Sequence, residues 1–379
     1  MLTLKKKIES VMHSADQTPI SPLASMLYGI SLVYGAAQKL RASCYRPKIL
    51  RSQKLPCRVI SVGNITVGGT GKTPMTIYVA QKLQQSGVRV AVISRGYKGS
   101  AESGGGVVSD GRNLLMDSEQ AGDEPYLMAG RLKNIPVIVG KNRFAAGMLA
   151  VNKFQPEVIV LDDAFQHLKL SRDIDLVLLD YTRPFGNTHL LPRGILREPV
   201  TALARATACI LTRSPTGPDE AAATTLAGIK AHMPDIPIFT SSHDPYMYTV
   251  KSWAPTPFNE ISDFIAPHDS DQINYKKVYG FSGIARNDDF KRTVETLGFN
   301  SMGFFEFPDH HKYSRDDLEK MVRTAGAAGA ECLITTEKDH ARIAHKKSLS
   351  MDLIVVGVKI DFGNDEQEFI SFIQSRLRQ

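Results

Sequence analysis

The sequence predicts an α/β protein: a mostly parallel sheet flanked by helices, then a second, smaller α/β domain. Three observations carry this. Short, continuous apolar runs recur, as in CRVISVG (57–63), VRVAVIS (88–94) and EVIVLDD (157–163). Strands covered on both faces read this way, whereas half-exposed strands alternate. Helical stretches separate the runs, and strand–helix alternation builds a layered parallel sheet. The pattern then stops and restarts: a stretch rich in Pro, Ser and Asp (240–272) precedes a second series opening at KKVYGFSGIA (276–285). The 379 residues suit two domains. The expected divisions are an N-terminal basic and apolar helical segment (1–50), a core domain (51–245), and a second α/β domain with linker strands (246–379).

The elements follow in order. MLTLKKKIES is basic, and Ser21–Ala37 is apolar and small. That run falls short of the roughly 20 residues that span a bilayer, and it ends in no cleavage site of the secretory kind. With Lys39, Arg41, Arg46, Lys48, Arg51 and Lys54 behind it, it reads as a helix lying in a lipid interface, with cations reaching lipid phosphates. A helix packed on the core is the competing reading. Residues 73–87 form a helix with Pro74 in its first turn and Gly87 at its end. Strands are expected at 88–94, 135–140, 157–163, 174–180 and 208–213. SGGGVVSDG (103–111) reads as a hairpin turn, 214–225 shares the Pro-, Ser- and Asp-rich composition shift, and 240–272 reads as linker and loop with a strand pair around Tyr246–Trp253. In the second series come a helix at 287–297, a strand at 302–307, a helix opened by a Ser314–Asp317 capping box, and strand runs at 332–339 and 352–362.

The formal charge of +7 points to an anionic partner. Zinc-finger spacing, RNA-binding aromatic signatures and arginine-rich arms are missing, so nucleic acid is not the partner expected. Cys44, Cys57, Cys209 and Cys332 are scattered and form no C-x-x-C pair, which suits reduced thiols.

The strongest local signal is SVGNITVGGTGKTP (61–74), which follows a strand and opens a helix. Gly68, Gly69 and Gly71 let backbone N–H groups curl round phosphate oxygens, with Val67 and Thr70 between them. Lys72 would reach the β- and γ-phosphates, and Thr73 would offer its hydroxyl to Mg²⁺. The pattern G-x-x-x-x-G-K-[ST] has Thr66 where glycine usually stands, which touches only the outer rim of the loop. Asp162 and Asp163, after four apolar strand residues, form a Walker-B-like acid pair near the metal. The core is therefore P-loop NTPase-like.

Three classes compete for what receives the phosphate. Dimeric switch ATPases carry an extra loop lysine, where this chain has Val67. GTPases carry N-K-x-D, which neither NKFQ (152–155) nor TEKD (336–339) matches. A small-molecule or lipid kinase needs a base near an acceptor hydroxyl. Candidates are Asp123 and Glu124 at a helix start, and Asp309, His310 and His311 just before the capped helix.

GNITVGGTGKTP, SRGYKG (94–99), GDEP (122–125), GKNR (140–143), LDDAFQH (161–167), LLPRGILREP (190–199), GIAR (283–286), DHH (309–311) and TTEKD (335–339) occur in this order. Together they resemble the tetraacyldisaccharide 4′-kinase (lipid A 4′-kinase) family. The loop with Thr66 belongs to that family's version. The resemblance implies ATP- and Mg²⁺-dependent phosphorylation of the 4′-hydroxyl of a tetraacylated glucosamine disaccharide 1-phosphate, a lipid A precursor. It implies docking on the anionic cytoplasmic face of a bacterial inner membrane. By resemblance, Asp123 and His310 match the acid–histidine pair that activates the hydroxyl, with His310 taken over His311. Asp162 and Asp163 match the acids near Mg²⁺, and Tyr97, Arg143 and His167 match residues around the sugar and phosphates. A cleft between the two domains, closing to bring His310 to the loop, is the expected setting. The alternative is a membrane-associated ATPase that couples hydrolysis to partner binding and needs no acceptor base.

Overall fold

The structure, a computed structural model, describes residues 2–14, 21–45, 52–215, 220–250, 276–343 and 350–379. Its strands are β1 (Arg58–Asn64), β2 (Val90–Ser94), β3 (Gly106–Ser109), β4 (Val137–Val139), β5 (Val158–Asp162), β6 (Ile174–Asp180), β7 (Ala208–Thr212), β8 (Ile238–Val250), β9 (Lys277–Ser282), β10 (Asn300–Glu306), β11 (Cys332–Thr336) and β12 (Leu353–Asp361). The helices are α1 (Leu2–His13), α2 (Pro22–Cys44), α3 (Lys72–Gln85), α4 (Ser118–Ala121), α5 (Asp123–Arg131), α6 (Arg143–Phe154), α7 (Glu220–His232), α8 (Asn287–Thr296), α9 (Arg315–Ala327), α10 (Glu337–Ile343) and α11 (Glu366–Arg378).

The chain forms two compact units. The first comprises Met1–Thr76, Glu157–His243 and Ile360–Gln379; the second comprises Ile77–Pro156 and Asp244–Lys359. A break at 243/244 lies close to the division expected at 245, while residues 77–156 group with the C-terminal half in this partition.

In the first unit β1 lies between β5 and β6, and β7 and β8 extend the sheet; every pairing is parallel. From Val59 onward β1 is buried throughout, as are β5, β6 and β7. Helices cover both faces of such a sheet, which is why these strands are apolar at every position rather than every second one. Val62 of β1 sits level with Asp162 of β5. The chain leaving β1 and the acids ending β5 therefore emerge side by side at the carboxyl edge, where open parallel sheets place their ligands.

In the second unit β9 runs parallel between β10 and β11, and β11 runs parallel to β12. Elsewhere in that unit β2 pairs parallel with β4, and β3 pairs antiparallel with β4. Residues 106–109 thus contribute a strand to a sheet, and the hairpin turn is also present, with Ser109 bridging Leu114 antiparallel and the Leu115 N–H donating to the Val108 carbonyl (2.7 Å). Ser314 caps α9 with the expected box: its hydroxyl accepts from the Asp317 N–H, and the Asp317 carboxylate accepts from the Ser314 N–H.

Several expectations shift. β8 is a single 13-residue strand where loop and a strand pair were expected; Lys251–Trp253 lie outside the described residues. The stretch 214–225 includes the start of α7, and the alanine-rich EAAATTLA explains that helix. TTEKD is where β11 ends and α10 begins, so its acids lie on a helix.

Helix α2 packs on the first unit and also leaves an apolar row exposed. Ala24, Leu27, Ser31 and Gly35 are buried against the first unit. Met26, Ile30, Val33 and Leu40, at spacings of four, three and seven, lie on another face and are exposed, Val33 at 72%. Among the described residues no helix is long and apolar enough to cross a membrane.

Candidate active site

Two clusters of candidate residues are built, one within each unit. In the first, the chain after β1 bends because Gly63 admits the backbone of Phe165; a Cβ at Gly63 would lie 2.8 Å from the Phe165 nitrogen. Thr66 is buried and bridges antiparallel to Leu196. The Val67 N–H donates to the Ile195 carbonyl (2.8 Å), and the Arg197 N–H to the Ile65 carbonyl (2.7 Å). A β-branched residue suits an extended bridge, so Thr66 is no flaw in the loop. Glycine is required further on, where Gly68 and Gly71 take φ of 113° and 84°.

The loop is braced from the neighbouring strands. Asn64 Nδ2 donates to Thr70 Oγ1 (2.9 Å), and the Thr212 hydroxyl to the Thr70 carbonyl (3.1 Å). Arg213, at φ 60° past the end of β7, donates to the Gly69 carbonyl (2.6 Å) while pairing with Asp180 (2.8 Å). With the carbonyls of Gly69 and Thr70 engaged on the protein side, the amides that follow are free to face a ligand. Lys72 begins α3 and Thr73 follows it. The ring of His243 packs on Gly71, where an added Cβ would meet it at 2.6 Å. Burial, then the charge of Arg213, push that imidazole down to about 4, so it is neutral at pH 7.

The buried Asp162 carboxylate accepts from the Thr76 hydroxyl (3.2 Å). Asp163 adopts a left-handed φ of 45°, which aspartate tolerates better than most residues. Its carboxylate takes both contacts of Arg197 Nη1 (3.0 and 3.1 Å) and lies 3.9 Å from Lys72 Nζ. His167 lies half-buried in the turn after β5. Among the described residues no cluster of three or more His, Cys, Asp or Glu forms a metal cage. A Mg²⁺ site completed by phosphate oxygens and water needs only a hydroxyl and one or two carboxylates. Thr73, Asp162 and Asp163 offer that donor set.

In the second unit Asp123 is the first residue of α5, with Gly122 at φ 89° before it. His310 Nδ1 lies 2.8 Å from Asp123 Oδ2. An ionised carboxylate only accepts, so the Nδ1–H donates, which in a neutral imidazole leaves the lone pair on Nε2. His310 is itself left-handed (φ 63°), and its N–H is tied to the Gly283 carbonyl (3.1 Å). Arg342 Nε donates to the same Asp123 oxygen (2.7 Å), and its Nη1 donates to the Gly283 carbonyl and to Asp339 (2.7 Å each). Burial pushes the Asp123 carboxyl up, but the His310 hydrogen bond and the Arg342 charge outweigh it and hold the group below its usual range. Two further ion pairs lock α5 to α10: Lys338 with Glu124 and Arg131 with Glu337, at 2.7 Å each.

The two histidines part company here. His311 stacks on Phe307 (centroids 4.4 Å apart), and its Nε2 lies 3.1 Å from the capping carboxylate of Asp317. It belongs to the entry of α9, while His310 faces the acid. Tyr97 packs edge-on to His310 (centroids 5.6 Å). Arg143, buried at the start of α6, donates to the Gly140 carbonyl (2.7 Å).

Sequence reasoning passed over Arg342, Arg197 and Arg213. Arg342 follows TTEKD by three residues and so returns to Asp339's side of the α10 helix, a signal that needed α10 to be recognised. Arg197 stood within a quoted motif without a role.

A family profile described as tetraacyldisaccharide-1-P 4′-kinase (LpxK) matches residues 23–378. The chain is 39% identical over 378 residues to a tetraacyldisaccharide 4′-kinase of Desulfatibacillum aliphaticivorans, covering 100% of this chain and 99% of that one. It is 41% identical over 325 residues to the Pelobacter propionicus protein of the same name, covering 86% and 84%. It superposes on LpxK from Aquifex aeolicus in complex with ATP with a TM-score of 0.74 at 32% identity, covering 94% of this chain and 99% of that one. By sequence, by length and by fold, the chain belongs to the tetraacyldisaccharide-1-P 4′-kinase family.

Proposed function

We propose that this enzyme transfers the γ-phosphoryl group of ATP to the 4′-hydroxyl of a tetraacylated glucosamine disaccharide 1-phosphate, a step of lipid A biosynthesis. One observation within the site carries the reading: His310 Nδ1 is bound to Asp123 at 2.8 Å, and Arg342 fixes that acid. This is an oriented proton acceptor, which an ATPase working only by hydrolysis and partner binding would not need.

In the reaction Lys72 and the loop amides of residues 68–73 hold the triphosphate and meet the charge on its transferring oxygens. Thr73, Asp162 and Asp163 would hold Mg²⁺, which when bound supplies positive charge to the β- and γ-phosphate oxygens. His310 Nε2 takes the proton of the 4′-hydroxyl, and Asp123 stabilises the imidazolium that forms. The hydroxyl oxygen bonds to the γ-phosphorus. The bond from that phosphorus to the bridging oxygen breaks, and its electron pair leaves on ADP. Tyr97, Arg143 and His167 are assigned to the sugar and phosphate groups of the acceptor.

The exposed row Met26, Ile30, Val33 and Leu40 on α2, with Lys39 and Arg41 beside it, is suited to an anionic lipid surface. The acceptor's acyl chains would stay in that layer, on the cytoplasmic face of the inner membrane. Sedimentation of the full chain with anionic vesicles tests this; protein left in the supernatant removes the lipid-docking reading.

The function itself is tested by incubating the enzyme with ATP and the tetraacyl disaccharide 1-phosphate and weighing the lipid. One added phosphate is expected, and Lys72→Ala should abolish it while the melting temperature stays within a few degrees. ATP consumed with no change in lipid mass would return the chain to the ATPase class.

A further inference from the structure

Helix α2 does more than present an apolar face. On its buried side, the Ser31 hydroxyl shares its one proton between the Leu27 carbonyl of its own helix and the Leu190 carbonyl (2.9 Å each) and accepts from the Arg193 N–H (2.9 Å). One turn on, the Tyr34 hydroxyl donates to the Arg197 carbonyl (2.8 Å). At Gly35 the helix comes so close that an added Cβ would lie 2.7 Å from Leu190 Cδ1. Three hydrogen bonds and one close packing contact, at positions 31, 34 and 35, thus fasten α2 to the segment 190–197.

That segment is the outer wall of the phosphate loop. Leu196 bridges Thr66, the Ile195 carbonyl takes the Val67 N–H, and the Ile65 carbonyl takes the Arg197 N–H. The Arg197 side chain holds Asp163, which lies 3.9 Å from Lys72. A second route runs from the same helix. Arg41 donates to the Gln166 carbonyl (2.9 Å), Gln166 Nε2 to the Asn64 carbonyl (2.8 Å), and Asn64 Nδ2 to Thr70 Oγ1 within the loop (2.9 Å). All of these residues belong to the first unit.

We propose that Ser31 and Tyr34 are positioning residues for phosphoryl transfer: through the segment 190–197 they set the register of Thr66 and Val67 and the placement of Asp163. The proposal rests on the kinase reading of the loop and of Asp163. Neither residue touches substrate. Each acts by fixing a wall, and the wall presents the loop and the metal-side acid. Burial of α2's other face by lipid would then bear on the nucleotide site directly, because the packing face and the exposed face share one rigid helix.

The test uses the full chain as wild type, Tyr34→Phe, Ser31→Ala and the double variant. A fluorescent ATP analogue is titrated with and without Mg²⁺ and no acceptor; kcat and both KM values are measured separately. Losing one neutral hydrogen bond corresponds to a several-fold effect. Tyr34→Phe should therefore weaken Mg²⁺-dependent nucleotide binding roughly fivefold, and the double variant by more than tenfold. KM for the acceptor and sedimentation with anionic vesicles should not change. Nucleotide binding equal to wild type in the double variant overturns the proposal. So does a loss of activity that only follows a loss of vesicle binding, which would make α2 an anchor alone. Should Ser31→Ala fail to fold, Tyr34→Phe decides the matter, since it removes a single oxygen atom. Wild-type transfer to the lipid, measured in the same series, separates failure of this inference from failure of the kinase reading.

Discussion

The phosphate loop and the Asp123–His310 pair are built by opposite strategies. The loop is local: Thr66–Thr73 is contiguous, and its backbone is the part proposed to face the nucleotide. The pair is non-local: Asp123 and His310 are 187 residues apart, and the arginine that fixes them is 219 residues from Asp123. Of the loop's braces, Arg213 is 29% exposed at its side chain while Asn64 and Thr212 are fully buried; Arg342 is 5% exposed and faces Asp339, which is fully buried. The loop thus keeps one partly exposed, replaceable ion-pair brace beside its buried amide and hydroxyl contacts. The Asp123–His310 pair is held by buried charge.

On this contrast the largest effect belongs to the proposed base. His310→Ala removes the proton acceptor, a function worth on the order of 10²- to 10⁴-fold. It should lower kcat by that range while KM for ATP changes little, because no part of the loop lies in its unit. His311→Ala should lower stability modestly, through the lost stack on Phe307 and the lost contact with Asp317, and leave kcat within a few-fold. Steady-state rates for both variants check this. An equal loss of kcat in His311→Ala would mean that the Asp123 contact does not mark the base.

A smaller effect, on the fold rather than on the chemistry, is expected at Arg342. Its guanidinium neutralises Asp339 and Asp123 together and satisfies the Gly283 carbonyl. Arg342→Met leaves two inward carboxylates without their cation, and breaking a buried pair in this way costs about 3–5 kcal/mol. Thermal unfolding should show the transition of the second unit moved down by on the order of 10 °C. Arg342→Lys should recover part of that loss, since it keeps the charge and loses the fork. A melting curve unchanged in Arg342→Met would show that the pair is not held by buried charge.

The same contrast decides what the sequence could reveal. The core strands are legible because parallel strands buried on both faces leave an unbroken apolar signature. The loop is legible because its chemistry depends on residues adjacent in the chain. Even Thr66 has a local account once its bridge to Leu196 is seen. The Asp123–His310 pair had only a weak local signal, an acid at a helix start and a histidine before a cap, and it was singled out through the family resemblance. Nothing local separates His310 from His311; a left-handed backbone at one and an aromatic stack at the other do so in space. Helix α10 stayed hidden because TTEKD continues an apolar strand run, and with it went Arg342. Helix α7 and the full length of β8 were obscured by Pro- and Ser-rich surroundings that suggest loop.

The smallest effect sharpens the other side of the comparison. Arg213 does two things with one fork: it pairs with Asp180 and pulls the Gly69 carbonyl outward. Lysine keeps the charge but is a point donor on a flexible stem, so Arg213→Lys can serve Asp180 or Gly69 well, and not both. The loop does not collapse in that variant, because Asn64 and Thr212 still hold Thr70. What is lost is the fixed direction of one peptide unit, worth about one hydrogen bond. KM for ATP should therefore rise about three- to tenfold at saturating acceptor, with kcat and melting temperature close to wild type. An unaltered KM would place the whole restraint on Thr70. A fall in stability like that expected at Arg342 would erase the distinction between a replaceable brace and a buried one, and the loop would then be part of the rigid frame rather than a flexible cradle mounted on it.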